Sequence, residues 1–264
     1  MANPYPRKAK STDAAAPEPQ NTVTAKALSL LATFDPENSR HSLSEMARRA
    51  GLPVATAHRL ANELVAWGAL ERVGGAYVIG HRIWRLGLLA PVRQNITELA
   101  SPYMQDVLFV TQNVVNLFIL DGEEALLLER ISGTRAGLPF RRVGARMPLH
   151  ASAAGKVFMA FGPAHVREMS GRRMEAQTEH TITDPVALKA ELERVRSRGF
   201  ATTNEEAGLD NYAVAVPVLM SNGTCTAALG VVAQGGPPSV GSVVPVLRIA
   251  ARSIARRLAA GSGY

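Results

Sequence analysis

The chain has 264 residues, 47% hydrophobic and 19% charged, which is typical of a globular protein with room for one small and one ordinary domain. One cysteine excludes an intrachain disulfide framework and a cysteine zinc cluster, and no apolar run approaches the roughly 18 residues of a membrane-spanning helix. Because the polar, proline-rich start lacks a secretory signal, we expect a cytoplasmic protein without a membrane partner.

The formal net charge is +7, and it is distributed unevenly along the chain. Residues 22–96 carry nine basic and five acidic side chains, whereas residues 97–264 carry seventeen and fifteen. The basic excess is densest in residues 22–96, and such an excess can neutralise the phosphates of a nucleic acid. Many solvated surfaces are also basic, so charge alone does not decide between a DNA-binding segment and an ordinary surface.

The N-terminal elements begin with a tail and a helix. Residues 1–21, rich in proline, predict a disordered tail whose basic side chains could contact DNA phosphates or simply be solvated. Apolar residues at helical spacing then predict an amphipathic first helix: Ala27, Leu30, Leu31 and Phe34.

Residues 44–80 contain the pattern of a helix-turn-helix. Ala47 is small where two helices cross closely, and Gly51 lies where the turn between them needs a left-handed residue. Ser42 and Glu45 fit a capping box at the start of the first helix, and Pro53 fits the first position of the second helix. Together these features predict a DNA-binding regulator.

A two-stranded hairpin, or wing, follows the second helix. Strands predicted at residues 70–72 and 77–79 flank the turn Gly74-Gly75. In the second helix, residues 53–67, the core face is apolar and the opposite face carries Arg59. Arg59 could pair with a guanine or a phosphate, or form an ion pair within the domain. The candidate DNA-contacting residues are Val54, Ala55, Thr56, His58, Arg59 and Asn62 on the helix, and Arg72 on the wing.

The rest of the chain predicts a linker and a second domain. A linker helix stopped by Pro91 leads to a helix over residues 96–111. Strands are predicted at 114–120, 125–131, 138–143, 214–219 and 226–233, and helices at 152–161, 185–198 and 241–260. This mixture is an α+β domain, an antiparallel sheet with flanking helices. The predicted divisions are a tail at 1–21, a winged helix-turn-helix at 22–80, a linker helix at 81–96 and an effector domain at 97–264.

No catalytic or metal-binding pattern stands out. Glu205 and Glu206 are adjacent, which favours a solvated or loop-end pair over cooperating carboxylates. The histidines lack the spacing of zinc ligands, and Ser152 has no nucleophile elbow around it. Cys225 is interpreted as a structural or exposed thiol. We therefore expect no enzyme activity, no metal and no cofactor.

Residues 152–161 allow two interpretations. Ser152 can cap a helix whose first N–H groups belong to Ala153, Ala154 and Gly155. Such a start can bind an anion because no large side chain blocks the approach to the N–H groups. Small residues also permit close helix packing, and the residues by themselves favour packing.

Four stretches make the chain resemble the IclR family of bacterial transcription regulators over about 240 residues. They are AGLPVATAHRL, YVIGHRIWRLG, MPLHASAAGKVFMAF and RGFATTNEE followed by VAVPVL. The resemblance implies a winged helix-turn-helix that dimerises and a GAF-like C-terminal domain that binds a small molecule. It also implies tetramers on DNA that are dimers of dimers.

The resemblance also implies an effector pocket and favours ligand capture over simple packing at residues 152–161. Family positions with serine, cysteine or glycine are occupied here by Asp210, Ala213, Gly230 and Val232, which predicts a roomier pocket with a less polar sheet face. The implied pocket residues are Met147, Ala153, Ala154, Thr203, Asn211, Ala213, Gly230 and Val232.

These features predict a transcription regulator that binds a partly palindromic operator in double-stranded DNA and senses a small organic acid, held as a carboxylate. Two alternatives stay open at this point. One is an architectural DNA-binding protein without an effector, and the other is a metabolite-processing enzyme with an accessory DNA-binding domain.

Overall fold

A computed structural model describes residues 22–35, 38–87, 89, 91–133 and 142–261, with 91–95 and 261 described by their backbone. The chain divides into two compact units, Met1–Trp84 and Arg85–Tyr264. The predicted disordered tail lies outside the described residues. The division falls inside the segment predicted as a linker, and the exact domain limits stay a prediction.

The first unit is a three-helix core followed by a hairpin. Its elements are α1 (Val23–Leu31), α2 (Leu43–Arg49), α3 (Val54–Trp67), β1 (Leu70–Val73) and β2 (Ala76–Ile79). The strands pair antiparallel through the turn at Gly74-Gly75, as predicted. The core is formed by Leu30, Met46, Ala47, Ala57, Leu60, Ala61, Leu70 and Tyr77.

The turn between α2 and α3 confirms the residues that predicted it. Gly51 has φ +65°, a left-handed conformation that costs glycine little. The Ser42 hydroxyl accepts the N–H of Glu45 at 3.2 Å, which caps α2. Pro53 lies one residue earlier than predicted, as the residue that precedes α3.

The connection to the second unit differs from the prediction. Helix α4 (His81–Gly87) ends before Pro91, and α5 (Pro91–Thr111) begins at that proline, five residues before the predicted start. The proline starts a helix because its missing N–H and fixed φ suit the first turn. The prediction that Pro91 ends the linker helix was therefore wrong.

An antiparallel sheet dominates the second unit, as predicted. In the described part of the chain its order is β5-β4-β3-β8-β7-β6. The strands are β3 (Val114–Asp121), β4 (Glu124–Ile131), β5 (Arg146–Pro148), β6 (Ala201–Asn204), β7 (Tyr212–Leu219) and β8 (Cys225–Ala233). The edge strands β5 and β6 are short and were not predicted. Most of the strand predicted at 138–143 lies outside the described residues, and Val143 is in a turn.

Helices cover both faces of this sheet. On one face, α5 and α9 (Val240–Gly261) pack against side chains such as Leu117 and Leu229. On the other face, α6 (Ala153–Phe161), α7 (Ala164–Glu168) and α8 (Pro185–Arg198) share a core with Phe118 and Ala228. Consecutive strand residues alternate between the two cores. Within the described ranges, no helix combines the length and apolar character needed to cross a membrane.

Candidate functional site

Helix α3 presents the exposed face that the sequence predicts. Ala57, Leu60 and Ala61 are buried, whereas the side chains available for contact lie on the opposite side. Thr56 is half-buried, and the exposed candidates are Val54, Ala55, His58, Arg59 and Asn62. The helix therefore buries its small and apolar stripe and leaves a polar surface free for a partner.

Arg59 forms an exposed ion pair on this surface. Its Nη1 lies 2.6 Å from Oε1 of Glu63, one helical turn away, and the two side chains are 58% and 59% exposed. Exposed pairs of this kind contribute roughly 0–1 kcal/mol. The guanidinium can consequently exchange Glu63 for another anion at little cost.

Arg72 is held between the wing and α3. Its Nη2 donates to Oδ1 of Asn62 at 2.7 Å and to the Tyr77 hydroxyl oxygen at 2.8 Å. The guanidinium carbon lies 5.2 Å from the centre of the Tyr77 ring. Asn62 thus positions the wing arginine in this structure, a contact that the sequence pattern did not indicate.

The basic residues of α2 are paired within their helix. Glu45 accepts hydrogen bonds from Arg48 at 2.6 Å and from Arg49 at 2.9 Å. These bonds, that of Arg48 first, lower the pKa of Glu45 to about 2. The positive surface near α2 is therefore partly neutralised by its own carboxylate.

A cavity in the second unit is lined by one face of the sheet and the start of α6. All the pocket residues that the family resemblance implied line it: Met147, Ala153, Ala154, Thr203, Asn211, Ala213, Gly230 and Val232. The centre of a water-sized sphere can occupy about 50 Å³ of it, where one water needs roughly 10–15 Å³. The structure thus brings together residues from five separate segments of the chain.

The sheet wall of the cavity includes two polar residues that the sequence interpretation did not name. Asn116 on β3 lies directly opposite Arg130 on β4 and Gly230 on β8, and residues in one such row project from the same face. Asn116 and Arg130 both line the cavity, and burial lowers the pKa of Arg130. The expectation of a less polar sheet face considered only positions on or beside β7 and β8, and it stays a prediction.

A signal for these two residues was present in the sequence. Asn116 interrupts the apolar run VVNLFIL of β3 at a buried position. Arg130 lies next to Glu129, after the apolar run ALLL of β4. Polar side chains at buried strand positions are uncommon and usually have a specific role. The remaining lining residues that the sequence interpretation missed are Phe118, Ser152, Ala207, Val214, Ala215 and Val231.

Two polar atoms in the cavity wall lack hydrogen-bond partners. Oδ1 of Asn116 and Oγ1 of Thr203 are buried, and neither atom has a hydrogen-bond partner among the described residues. The two residues are 5% and 2% exposed. A buried polar atom without a partner costs roughly 1–3 kcal/mol, so both atoms would gain from a polar ligand.

The start of α6 is capped by Ser152 and packs closely on the preceding turn. The Ser152 hydroxyl donates to the Pro148 carbonyl at 3.0 Å and accepts the Gly155 N–H at 3.1 Å. The N–H groups of Ala153 and Ala154 have no acceptor inside the helix. Gly155 serves packing, since a Cβ there would lie 2.2 Å from the Leu149 carbonyl oxygen.

Glu206 is buried, so of the expected solvated or loop-end pair the structure shows a loop-end pair that follows β6. Its Oε1 lies 2.6 Å from Nζ of Lys156, and the side chains are 9% and 1% exposed. Burial raises the pKa of Glu206, and Lys156 opposes that shift. The ion pair joins α6 to the loop after β6, which also carries Ala207 of the cavity wall.

The loop that carries Asp210 also differs from the usual family pattern. Asp210 has φ +54°, a conformation that suits the glycine often found there. Its carboxylate accepts the N–H of Gly235 at 2.6 Å, which ties the loop to the end of β8. The neighbouring Asn211 is thereby held in the cavity wall.

The described residues contain no group of three or more His, Cys, Asp or Glu side chains placed to hold a metal ion. Cys225 is buried, which raises the pKa of its thiol to about 12 and keeps it protonated. Of the two possibilities that the sequence left open for Cys225, the structure therefore supports a structural thiol.

Comparison with protein families gives two matches that together span most of the chain. Residues 23–74 match the IclR helix-turn-helix domain. Residues 90–256 match the family described as bacterial transcriptional regulator IclR C-terminal.

Individual proteins agree with these matches. The chain is 30% identical over 218 residues to the transcriptional repressor IclR of Escherichia coli, covering 79% of this chain and 80% of that protein. It is 30% identical to the regulator KipR of Bacillus subtilis, with 82% and 86% covered. A crystal structure of an IclR homologue from Microbacterium hydrocarbonoxydans, complexed with 4-hydroxybenzoate, superposes with a TM-score of 0.83, 32% identity and 90% and 100% covered.

Proposed function

Because this chain belongs to the IclR family and is a ligand-responsive DNA-binding transcription regulator, we propose that its effector is a small organic acid held by its carboxylate at the start of α6. The observation that carries this proposal is the meeting of two features in one cavity. The N–H groups of Ala153 and Ala154 lack helical acceptors, and the buried Thr203 hydroxyl lacks a partner.

The electrostatics at this point favour an anion. A helix start carries about half a positive charge, and N–H donors to a carboxylate are stronger than donors to a neutral group. The carboxylate in the structurally similar homologue that binds 4-hydroxybenzoate supports the same ligand class here. The apolar body of the ligand would lie toward Met147, Gly230 and Val232.

The DNA-binding part of the proposal uses the exposed face of α3. The first turns of such a helix contact base edges, so Val54, Ala55, Thr56, His58 and Arg59 are the proposed reading residues. Arg72, positioned by Asn62, would contact the phosphate backbone beside them. The operator would be partly palindromic because the protein acts as a dimer, and as a dimer of dimers on DNA, in the cytoplasm.

Ligand binding would act by shifting a population. If the acid binds one arrangement of the protein more tightly than another, it changes operator affinity by the same differential free energy. The acid is bound and released unchanged, so no enzymatic step is part of the proposal.

Calorimetry with a carboxylic acid and its neutral amide tests the capture of a carboxylate. We expect the amide to bind at least tenfold more weakly, because it lacks the charge that the N–H donors stabilise. Equal affinities would contradict the proposed site. A protein that binds operator but none of a panel of acids would instead support the architectural alternative, and turnover of an acid would support the enzyme alternative.

Filling the cavity provides an independent test. Gly230→Leu should abolish acid binding while operator binding survives. A Cβ at this position would already lie 3.1 Å from the Val214 carbonyl oxygen, so Ala213→Leu, which fills the same cavity from β7, serves as a second variant. Circular dichroism checks the fold of both. Unchanged acid affinity in folded variants would place the pocket elsewhere.

Sedimentation tests the oligomeric state. Analytical ultracentrifugation of the full chain with and without operator should show dimers and dimers of dimers. A monomer at micromolar concentration, bound to DNA as a monomer, would contradict the palindromic operator as well as the tetramer.

A further inference from the structure

Asn116 is a polar residue in the centre of the sheet. Its strand, β3, lies between β4 and β8, and the side chains around it along the strand are apolar. Asn116 is 5% exposed, and its Oδ1 has no hydrogen-bond partner among the described residues. The fold does not use this oxygen, although leaving it unpaired is costly. Since Asn116 lines the cavity, a ligand is the natural source of the missing donor.

Arg130 lies beside Asn116 in the same row of the sheet. The two residues are directly opposite each other on β4 and β3, which places their Cα atoms about 5 Å apart. Arg130 also lines the cavity and is half-buried. The sheet wall therefore presents an acceptor and a set of cationic donors at neighbouring positions.

Few chemical groups suit both residues at once. An alkyl group would leave Oδ1 of Asn116 unpaired, and an ammonium group would place a second cation beside Arg130. A second carboxylate would suit Arg130 but would bring an acceptor against Oδ1 of Asn116. A hydroxyl donates one hydrogen bond and accepts another, so it can donate to Oδ1 of Asn116 and accept from a cationic neighbour.

We propose that Asn116 and Arg130 form a second recognition point, which binds the hydroxyl of a hydroxycarboxylic acid. The inference rests on the proposed capture of the carboxylate at α6 and extends it to the opposite wall of the cavity. The acid is then held at both ends, by the helix start and by the sheet. Specificity follows because an acid without the hydroxyl leaves the buried Oδ1 unpaired.

A ligand series tests the proposal on the unaltered full-length protein. Calorimetry would compare benzoate with its 3-hydroxy, 4-hydroxy, 4-methoxy and 4-carboxy derivatives, and 4-hydroxybutyrate with butyrate. We expect at least one hydroxy acid to bind tenfold or more tightly than its parent acid. The methoxy derivative, which accepts but cannot donate, should show no such gain. The 4-carboxy derivative should also show none, because two acceptors would meet at Asn116.

Variants assign the gain to the two residues. Asn116→Leu should lower the affinity for the hydroxy acid at least tenfold more than it lowers the affinity for benzoate. Arg130→Met should reduce the advantage, and Arg130→Lys should retain part of it. The matched control is Val232→Ala, which alters an apolar part of the same wall and should weaken benzoate and the hydroxy acid equally.

The outcomes separate this inference from the proposal on which it rests. If benzoate binds but hydroxy, methoxy and parent acids have equal affinities, the second recognition point is wrong and carboxylate capture stands. Tighter binding of the 4-carboxy derivative would assign Asn116 and Arg130 to a second carboxylate and overturn the hydroxyl. An equal loss for all acids in folded Asn116→Leu would show a structural role only. If no acid binds, both proposals fail. The ligand series decides even if a variant does not fold.

Discussion

Two ion pairs with the same 2.6 Å separation occupy opposite environments in this protein. Arg59 and Glu63 lie on the surface of α3, where both side chains are more than half exposed. Lys156 and Glu206 lie beneath the cavity of the second unit, where neither exceeds 9% exposure. The N···O distance therefore does not distinguish the two pairs, and their burial does.

The exposed pair is replaceable, and the buried pair is structural. Water and salt screen the attraction between Arg59 and Glu63, so a phosphate or base can displace Glu63. Removing one partner of the buried pair would strand a charge where no water reaches it. The proposed DNA-contacting surface thus keeps its charges available, whereas the second unit uses a charge pair to hold α6 against the loop after β6.

The largest effect is expected from breaking the buried pair. Lys156→Met should lower the free energy of unfolding of the second unit by about 3–5 kcal/mol, because Glu206 is left without its counter-ion. The double variant Lys156→Met/Glu206→Leu should recover most of that loss. Chemical denaturation of each protein gives these values, and a single variant as stable as the parent would show that the pair is not coupled.

Close packing at the start of α6 should give the next largest effect. Gly155→Ala places a Cβ 2.2 Å from a backbone oxygen and should cost about 2–3 kcal/mol of unfolding free energy. Gly241→Ala in α9 is the matched control, since a Cβ there meets no atom within 4 Å. Thermal unfolding of the two variants decides, and equal stabilities would contradict the close approach of α6.

Operator binding should depend on Arg59, the cation of the exposed ion pair. Arg59→Ala should weaken binding by roughly 1–3 kcal/mol and relax the base preference at the position that Arg59 contacts. Binding of the parent should also fall steeply with salt. Gel-shift titrations at two salt concentrations measure both. Unchanged affinity and preference in the variant would mean that another face of the first unit contacts DNA.

His150 should make the stability of the second unit depend on pH. Burial lowers the pKa of His150 below its usual 6.5, and its Nε2 lies 2.8 Å from the Glu175 carbonyl oxygen. The unfolded chain therefore binds a proton more readily, so stability should fall as the pH drops below 6.5. Denaturation at pH 7 and pH 5 measures the slope. His150→Gln should reduce it, and an unchanged slope would assign it to other groups.

The smallest effect on stability is expected when the exposed ion pair of Arg59 and Glu63 is removed. Glu63→Ala should change the free energy of unfolding of the first unit by no more than about 0.5 kcal/mol. Operator affinity should rise slightly, because a negative charge beside the phosphates is removed. A loss of stability comparable to that of Lys156→Met would remove the distinction between the two environments.

Part of the local structure was determined by the sequence alone. Helices α2 and α3 were predicted from Gly51, the Ser42 cap and the helical spacing of small and apolar residues. Each of these features acts over one or two helical turns. Helix α8 was predicted with its observed limits, since Pro185 and Gly199 mark its ends. The family resemblance identified the cavity residues because it already carries information on tertiary structure.

The polar sheet wall and the buried charges were decided only by the tertiary structure. Asn116 and Arg130 are fourteen positions apart in the chain, and only the strand register places them side by side. Lys156 and Glu206 are separated by fifty positions and meet because α6 packs beside the end of β6. Sequence patterns report which face of an element is apolar. They do not report which distant residue will oppose a polar side chain, because the register and packing of separate elements select that partner.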